Sequence, residues 1–164
     1  MFMSVARRHA ALMTTATILT PAFTTPATTA PAARPAGFAG GVHGLPRLLL
    51  RVEGGLILAA AMLAHARLGG SWGTFALLFL LPDLSMLAYL VGPRAGAAAY
   101  NAAHSHIAPA LLVAAAYTLG APLLLLGAAI WAAHIGFDRM LGYGLKYGTA
   151  FGDTHLGRVG SPRP

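Results

Sequence analysis

Four stretches of this chain are long and apolar enough to cross a bilayer, and each carries polar side chains within it. They are residues 46–66, 72–91, 95–119 and 121–144. With a helix rising about 1.5 Å per residue, about 20 residues span a hydrocarbon core. Inside lie Glu53, Asp83, Tyr100, Asn101, His104, His134, Asp138 and Arg139. An ionisable group at such depth is costly. It is kept mainly when it is paired, or faces a cavity, a ligand or an ion. The pattern predicts an all-α fold: a four-helix transmembrane bundle, antiparallel and up-down, around a polar centre.

Composition narrows the class. Only 9% of residues are charged, and the mean hydropathy is +0.67. A soluble domain carries about 25% charge, so too little remains to coat one. There is no cysteine, which excludes disulfides, cysteine-type zinc sites and thiol nucleophiles. The net charge of +7 comes from scattered Lys and Arg without an aromatic-basic stripe. It reads as topogenic charge at helix ends rather than as a nucleic-acid surface. The lipid bilayer is the expected partner, and nucleic acid is not.

Residues 1–44 form a separate Ala/Thr/Pro-rich segment, with Pro21, Pro26, Pro31 and Pro35. Such a stretch buries too little apolar surface to offset its ordering entropy, and disorder is expected. The rival is a signal peptide, with Arg7 and Arg8 before residues 10–19, but threonines weaken its apolar region. Residues 45–147 form the membrane domain, and residues 148–164 a Gly-rich tail.

Basic residues set the expected orientation. Arg34, Arg47, Arg51, Arg94, Arg139, Lys146 and Arg158 fall on one side, and Arg67 alone on the other. The positive-inside rule then places both termini in the cytoplasm. Short connections at residues 67–71, 92–94 and 120 make successive helices neighbours. Pro82 and Pro109 lie inside spans, where each removes a backbone donor and frees a carbonyl about four residues earlier. The third span is rich in Ala and Gly, and is expected to be the central, best-packed helix.

Depth aligns the polar groups. Counting from the cytoplasmic ends, Glu53 lies about 10 Å deep, Asp83 and His104 about 14 Å, His134 about 15 Å and Asp138 about 9 Å. His134 and Asp138 stand four residues apart on one face, and Tyr100, Asn101 and His104 form one stripe. His106 is roughly 200° round from His104 and should point elsewhere. Arg139 should snorkel to the headgroups.

Two imidazoles with nearby carboxylates suit a nitrogen–oxygen site for a divalent metal such as Zn, Fe or Mn. The expected ligands are His104, His134, Asp138 and Asp83, with Glu53 as base and Tyr100 and Asn101 orienting the site. Such a metal could activate water against a membrane-borne substrate. The same groups could relay protons in a small ion-coupled carrier, working as a homo-oligomer because four helices enclose little pathway. They could also close a structural hydrogen-bond network in a membrane subunit. In the tail, Asp153 and His155 are candidates for a lid over the site. His65 reads as an interfacial anchor, Trp72 and Trp131 as belt or packing residues, and Ser85 as back-bonded within its helix.

The pieces R-x-E-G (51–54), P-D-L-S-M-L (82–87), G-P-R (92–94), Y-N-x-x-H (100–104), H-I-G-x-D-R-x-x-G-Y-G-L-K-Y (134–147) and D-T-H-L-G (153–157) occur in order. Together they resemble the domain of unknown function 4260 family of small bacterial multi-pass membrane proteins. The resemblance runs from about Arg47 to Arg158. It implies a four-helix domain in the bacterial inner membrane and no particular activity. It leaves out His106 and residues 1–44, and adds weight to Asp153 and His155.

Overall fold

The computed structural model describes residues 40–160. The expectations for the N-terminal segment, disorder or signal peptide, fall almost wholly outside the described residues. Helix α1 runs Gly44–Arg67, α2 Trp72–Phe79, α3 Pro93–Ala103, α4 Ile107–Leu119 and α5 Leu123–Leu141. A 3₁₀ helix, Leu81–Leu90, continues from α2, and a short hairpin pairs β1 (Asp153–Thr154) with β2 (Gly157–Arg158). The fold is all-α. Helices over Gly44–Arg67, Trp72–Leu90 and Leu123–Leu141 are long and apolar enough to cross a membrane, and the pair α3 and α4, bent by 41°, could make a fourth.

Each end follows from local chemistry. Ser71 caps α2 by accepting from the Thr74 amide at 3.5 Å. Pro82 cannot donate to the carbonyl of Leu78, so α2 stops at Phe79 and the chain tightens into the 3₁₀ helix. Ten residues is long for that geometry, whose runs rarely pass about four. Pro109 likewise cannot donate to Ser105, and its ring crowds that carbonyl. The third span therefore parts at residues 104–106 rather than running straight. Gly120 and Gly142 end α4 and α5 in the left-handed conformation that glycine adopts without strain.

The central helix is α5, not the third span as expected. It buries Ala128, Ala129, Ile130, Ala133, His134, Ile135, Gly136 and Asp138, and packs against α1, α2 and α4. Its closest approach is to α1, backbone against backbone. A Cβ on Gly136 would lie 2.7 Å from the Gly54 carbonyl and 2.7 Å from the Leu58 amide. Helix α3 instead leans on the 3₁₀ helix, where the Tyr89 ring lies directly over Gly96. Large side chains such as Leu56, Leu77, Leu87, Leu90, Leu111 and Leu123 point outward, as a lipid-contacting surface would.

The tail does not dangle. Lys146, Asp153, Thr154 and Leu156 are buried, and Lys146 bridges to Thr154. His65 is buried as well, against Trp72 and Phe75 with its Nε2 3.2 Å from the Ser71 carbonyl, rather than anchored at an interface.

Candidate metal centre

The break at residues 104–106 builds the site. Opening a helix frees carbonyls, and buried carbonyls need donors. The Ala103 carbonyl accepts from Trp131 Nε1 at 2.6 Å, and the His104 carbonyl from Arg139 Nη2 at 3.0 Å. Both donors come from α5. Trp131 thus serves as a backbone cap, and Arg139 turns inward instead of snorkelling, its other nitrogen donating to Tyr143 O at 2.7 Å. The last turn of α3 leaves the Tyr100 carbonyl within 2.9 Å of His104 Nδ1. A carbonyl only accepts, so Nδ1 carries a proton. In the neutral ring Nε2 then presents a bare lone pair.

That nitrogen meets two partners. His104 Nε2 is 3.1 Å from His134 Nε2 and 3.4 Å from Asp83 Oδ1, and His134 Nε2 is 3.5 Å from the same oxygen. Both imidazoles are buried, while the Asp83 side chain is 32% exposed. Ligands at about 2.0–2.1 Å from a tetrahedral zinc stand roughly 3.3–3.4 Å apart. The Asp83, His104 and His134 triangle has the dimensions of one tetrahedral face, and its ligand atoms could share one ion.

Asp138 lies beside this face. Its Oδ2 is 3.6 Å from His104 Nε2 and accepts from the Tyr100 hydroxyl at 2.8 Å. The Tyr100 ring stacks on His104, with centroids 3.6 Å apart and planes within 11°. Phe79 meets His134 edge-on at 5.3 Å, closing the apolar side.

The structure leaves Glu53 outside the cluster. It is exposed on α1, because Gly54, about 100° further round, is the residue that faces α5. His106 is exposed too, as its position predicted. Asn101 orients no ligand. Its amide clamps the tail, donating to Lys146 O at 2.8 Å and accepting from Lys146 N at 2.7 Å.

Neither residue expected of a lid reaches the cluster. Asp153 accepts from Thr149 Oγ1 at 2.7 Å and lies 3.4 Å from Arg158 Nε. His155 Nδ1 accepts from the Leu145 amide at 2.8 Å. Burial, with Arg139 nearby, pushes the His155 pKa down, which favours the neutral ring that this bond requires. The tail residue that does approach is Lys146. Its ammonium lies 4.7 Å from the Tyr100 ring centroid and donates to Phe151 O at 2.8 Å. Burial lowers its pKa, while Asp138 pulls it back up. As a lone lysine beyond a span it reads as topogenic charge, and only its seven-percent exposure reveals the different role.

The family model described as Domain of unknown function (DUF4260) matches residues 47–159. No curated protein and no solved structure matches the chain.

Proposed function

The chain belongs to the domain of unknown function 4260 family, whose description assigns no activity, and we propose that its Asp83, His104 and His134 hold a divalent metal for hydrolysis of a membrane-borne substrate. One observation carries the reading. Three lone-pair atoms converge within 3.5 Å of one another, and in the neutral rings at most one proton lies among them. A cation offsets all three at once, whereas a proton serves one pair. Two imidazoles and one carboxylate leave a coordination position open, as a catalytic site needs. Zinc fits the tetrahedral spacing, and Fe or Mn fits the donor set.

The chemistry follows from the neighbours. A metal of this kind lowers the pKa of bound water to about 7. Asp138, positioned by the Tyr100 hydroxyl, would take a proton from the attacking water as that water adds to a carbonyl or phosphoryl centre. It returns that proton to the departing oxygen, so the reaction consumes one water and releases an acid and an alcohol. Asp138 takes the role first assigned to Glu53. The membrane setting is a multi-pass domain of the bacterial inner membrane with both termini cytoplasmic, supported by the one-sided basic residues.

Elemental analysis of protein purified without a chelating tag should find about one metal ion per chain. His104→Ala and His134→Ala should each abolish it, and His106→Ala should not. The 3.1 Å separation of the two imidazole nitrogens also suits an N–H···N hydrogen bond, the mark of a purely structural network. Wild-type protein without metal would overturn the hydrolytic reading, and a loss of stability in His134→Ala would then mark that network.

A further inference from the structure

Beside the cluster lies an apolar cavity of about 350 Å³. Its lining includes Pro82, Ser85, Ala103, Leu112, Gly127 and Trp131. Each of the three elements that carry a candidate ligand also contributes to this lining. Pro82 precedes Asp83, Ala103 precedes His104, and Trp131 stands three residues before His134. The cavity and the polar cluster are therefore built from the same three elements.

Gly127 keeps that cavity open. Glycine inside a helix costs about 0.5–1 kcal/mol relative to alanine, so it needs a reason. At Gly54, Gly96 and Gly136 the reason is contact, because a Cβ there would collide with a neighbouring helix or ring. At Gly127 a Cβ would meet nothing within 4 Å. Packing does not call for this glycine, and the side chain it lacks is part of the void. The lining has one further oddity. Ser85 Oγ is buried with no hydrogen-bond partner, on a 3₁₀ helix whose expected back-bond is not made. An orphaned buried hydroxyl costs about 1–3 kcal/mol and is ready for a ligand acceptor.

We infer that this cavity receives the hydrocarbon chain of a single-chain amphiphile, with Ser85 donating to the oxygen of its polar group and the reacting bond delivered to the Asp83, His104 and His134 face. This rests on the hydrolytic reading and names its substrate class: a long-chain acyl or alkyl compound drawn from the bilayer. The volume is at the lower end of small-molecule sites, about 300–1,000 Å³, and suits one chain rather than two.

Trp131 reports on the cavity from within. The chain has two tryptophans, so Trp72→Phe leaves Trp131 as the sole emitter. The probe is a fatty acid dibrominated in mid-chain, titrated into that variant in micelles of an unbrominated detergent. Expected is saturable quenching of Trp131 by twofold or more. Gly127→Leu, whose Cβ would meet nothing within 4 Å, should abolish the saturable part. Should Leu prevent folding, Gly127→Ala should still weaken binding of the probe severalfold. Ser85→Ala should weaken the acid severalfold and leave the matching bromoalkane unchanged. Unsaturable quenching, or equal quenching in the Gly127 variants, would overturn the inference, and an unchanged acid affinity in Ser85→Ala would remove the hydroxyl from it. The readout needs no metal. Metal-free protein that binds the probe overturns the hydrolytic reading alone, and metal-loaded protein that does not bind it overturns the cavity alone.

Discussion

The two faces of α5 are built by opposite means. On one face lies α1, an unbroken helix of 24 residues, held by glycine against backbone at Gly54 and Gly136. On the other lie the interrupted elements: α2 passing into a 3₁₀ helix, and α3 parted from α4. Regular helix satisfies its own backbone and needs only a close fit. Broken helix exposes carbonyls that must find donors, and in an apolar setting irregular backbone persists only where protein or a cavity covers it. Here Trp131 and Arg139 supply donors to Ala103 and His104. The same bonds that repair the break hold His104 in place. One face is scaffold, and the other carries chemistry because its backbone is irregular.

The sharpest way to break that contrast is on the scaffold face. Gly136→Leu would push a side chain into the backbone of α1, where overpacking costs about 1–3 kcal/mol or more. It should abolish monodisperse protein or lower its melting temperature in detergent by many degrees. The same change at Gly127 should leave melting unchanged or raise it. Equal damage at both positions would erase the distinction between the faces.

Next in size is an attempt to heal the broken face. Pro109→Ala restores a donor for the Ser105 carbonyl and lets helix run through residues 104–106. His104 would then lose its position, and metal affinity should fall roughly 10- to 100-fold, as when supporting contacts are removed. The melting temperature should hold or rise. Metal titration and a thermal scan on the same variant test both halves, and unchanged affinity would show that the break does not position His104.

Smaller effects belong to the tail. Asn101→Ala removes two hydrogen bonds to the Lys146 backbone, each worth about 1 kcal/mol. Amides of residues 143–160 should exchange faster with deuterium, while those of α1 and α5 stay protected. Uniform loosening would mean that the tail is not a separate unit.

The least effect is a pH dependence of that unit. Burial lowers the pKa of His155 in the folded tail below its ordinary value of 6.5. Above that value both folded and unfolded rings are neutral, and the full stability is present. As pH falls below it the unfolded ring takes up a proton first, so stability is lost until the folded ring also protonates. Protection of the tail amides, corrected for the intrinsic pH dependence of exchange, should therefore fall from about pH 7.5 to about pH 5.5, and His155→Gln should flatten the change.

Much of this was readable in advance. Residues 134–147 place His134 and Asp138 on one helical face by spacing alone, and the prolines marked where a backbone donor is missing, though each span was expected to run on through them. The centre of the bundle was not readable. The Ala/Gly run of α3 looks fit for close packing, yet in α5 the small residues Ala128, Ala129, Ala133 and Gly136 are the ones that other helices cover. Composition records which surfaces could pack closely, not which are chosen. Glu53 shows a related limit. Depth alone grouped it with the histidines, but about 100° of rotation separates Glu53 from the Gly54 that meets α5.

By itself, the sequence determined an all-α chain with helices long and apolar enough for a membrane, the two positions where proline removes a backbone donor, and the shared helical face of His134 and Asp138. Those properties are local, set by hydropathy, helix period and the missing proline donor. Tertiary structure alone decided that Asp83, His104 and His134 close to within 3.5 Å, that Asp138 and not Glu53 stands beside them, and that Lys146 and not Asp153 or His155 approaches from the tail. Convergence depends on the rotation of each helix about its axis. That rotation is fixed by which carbonyl finds which donor across the interface, a long-range choice that no single segment encodes.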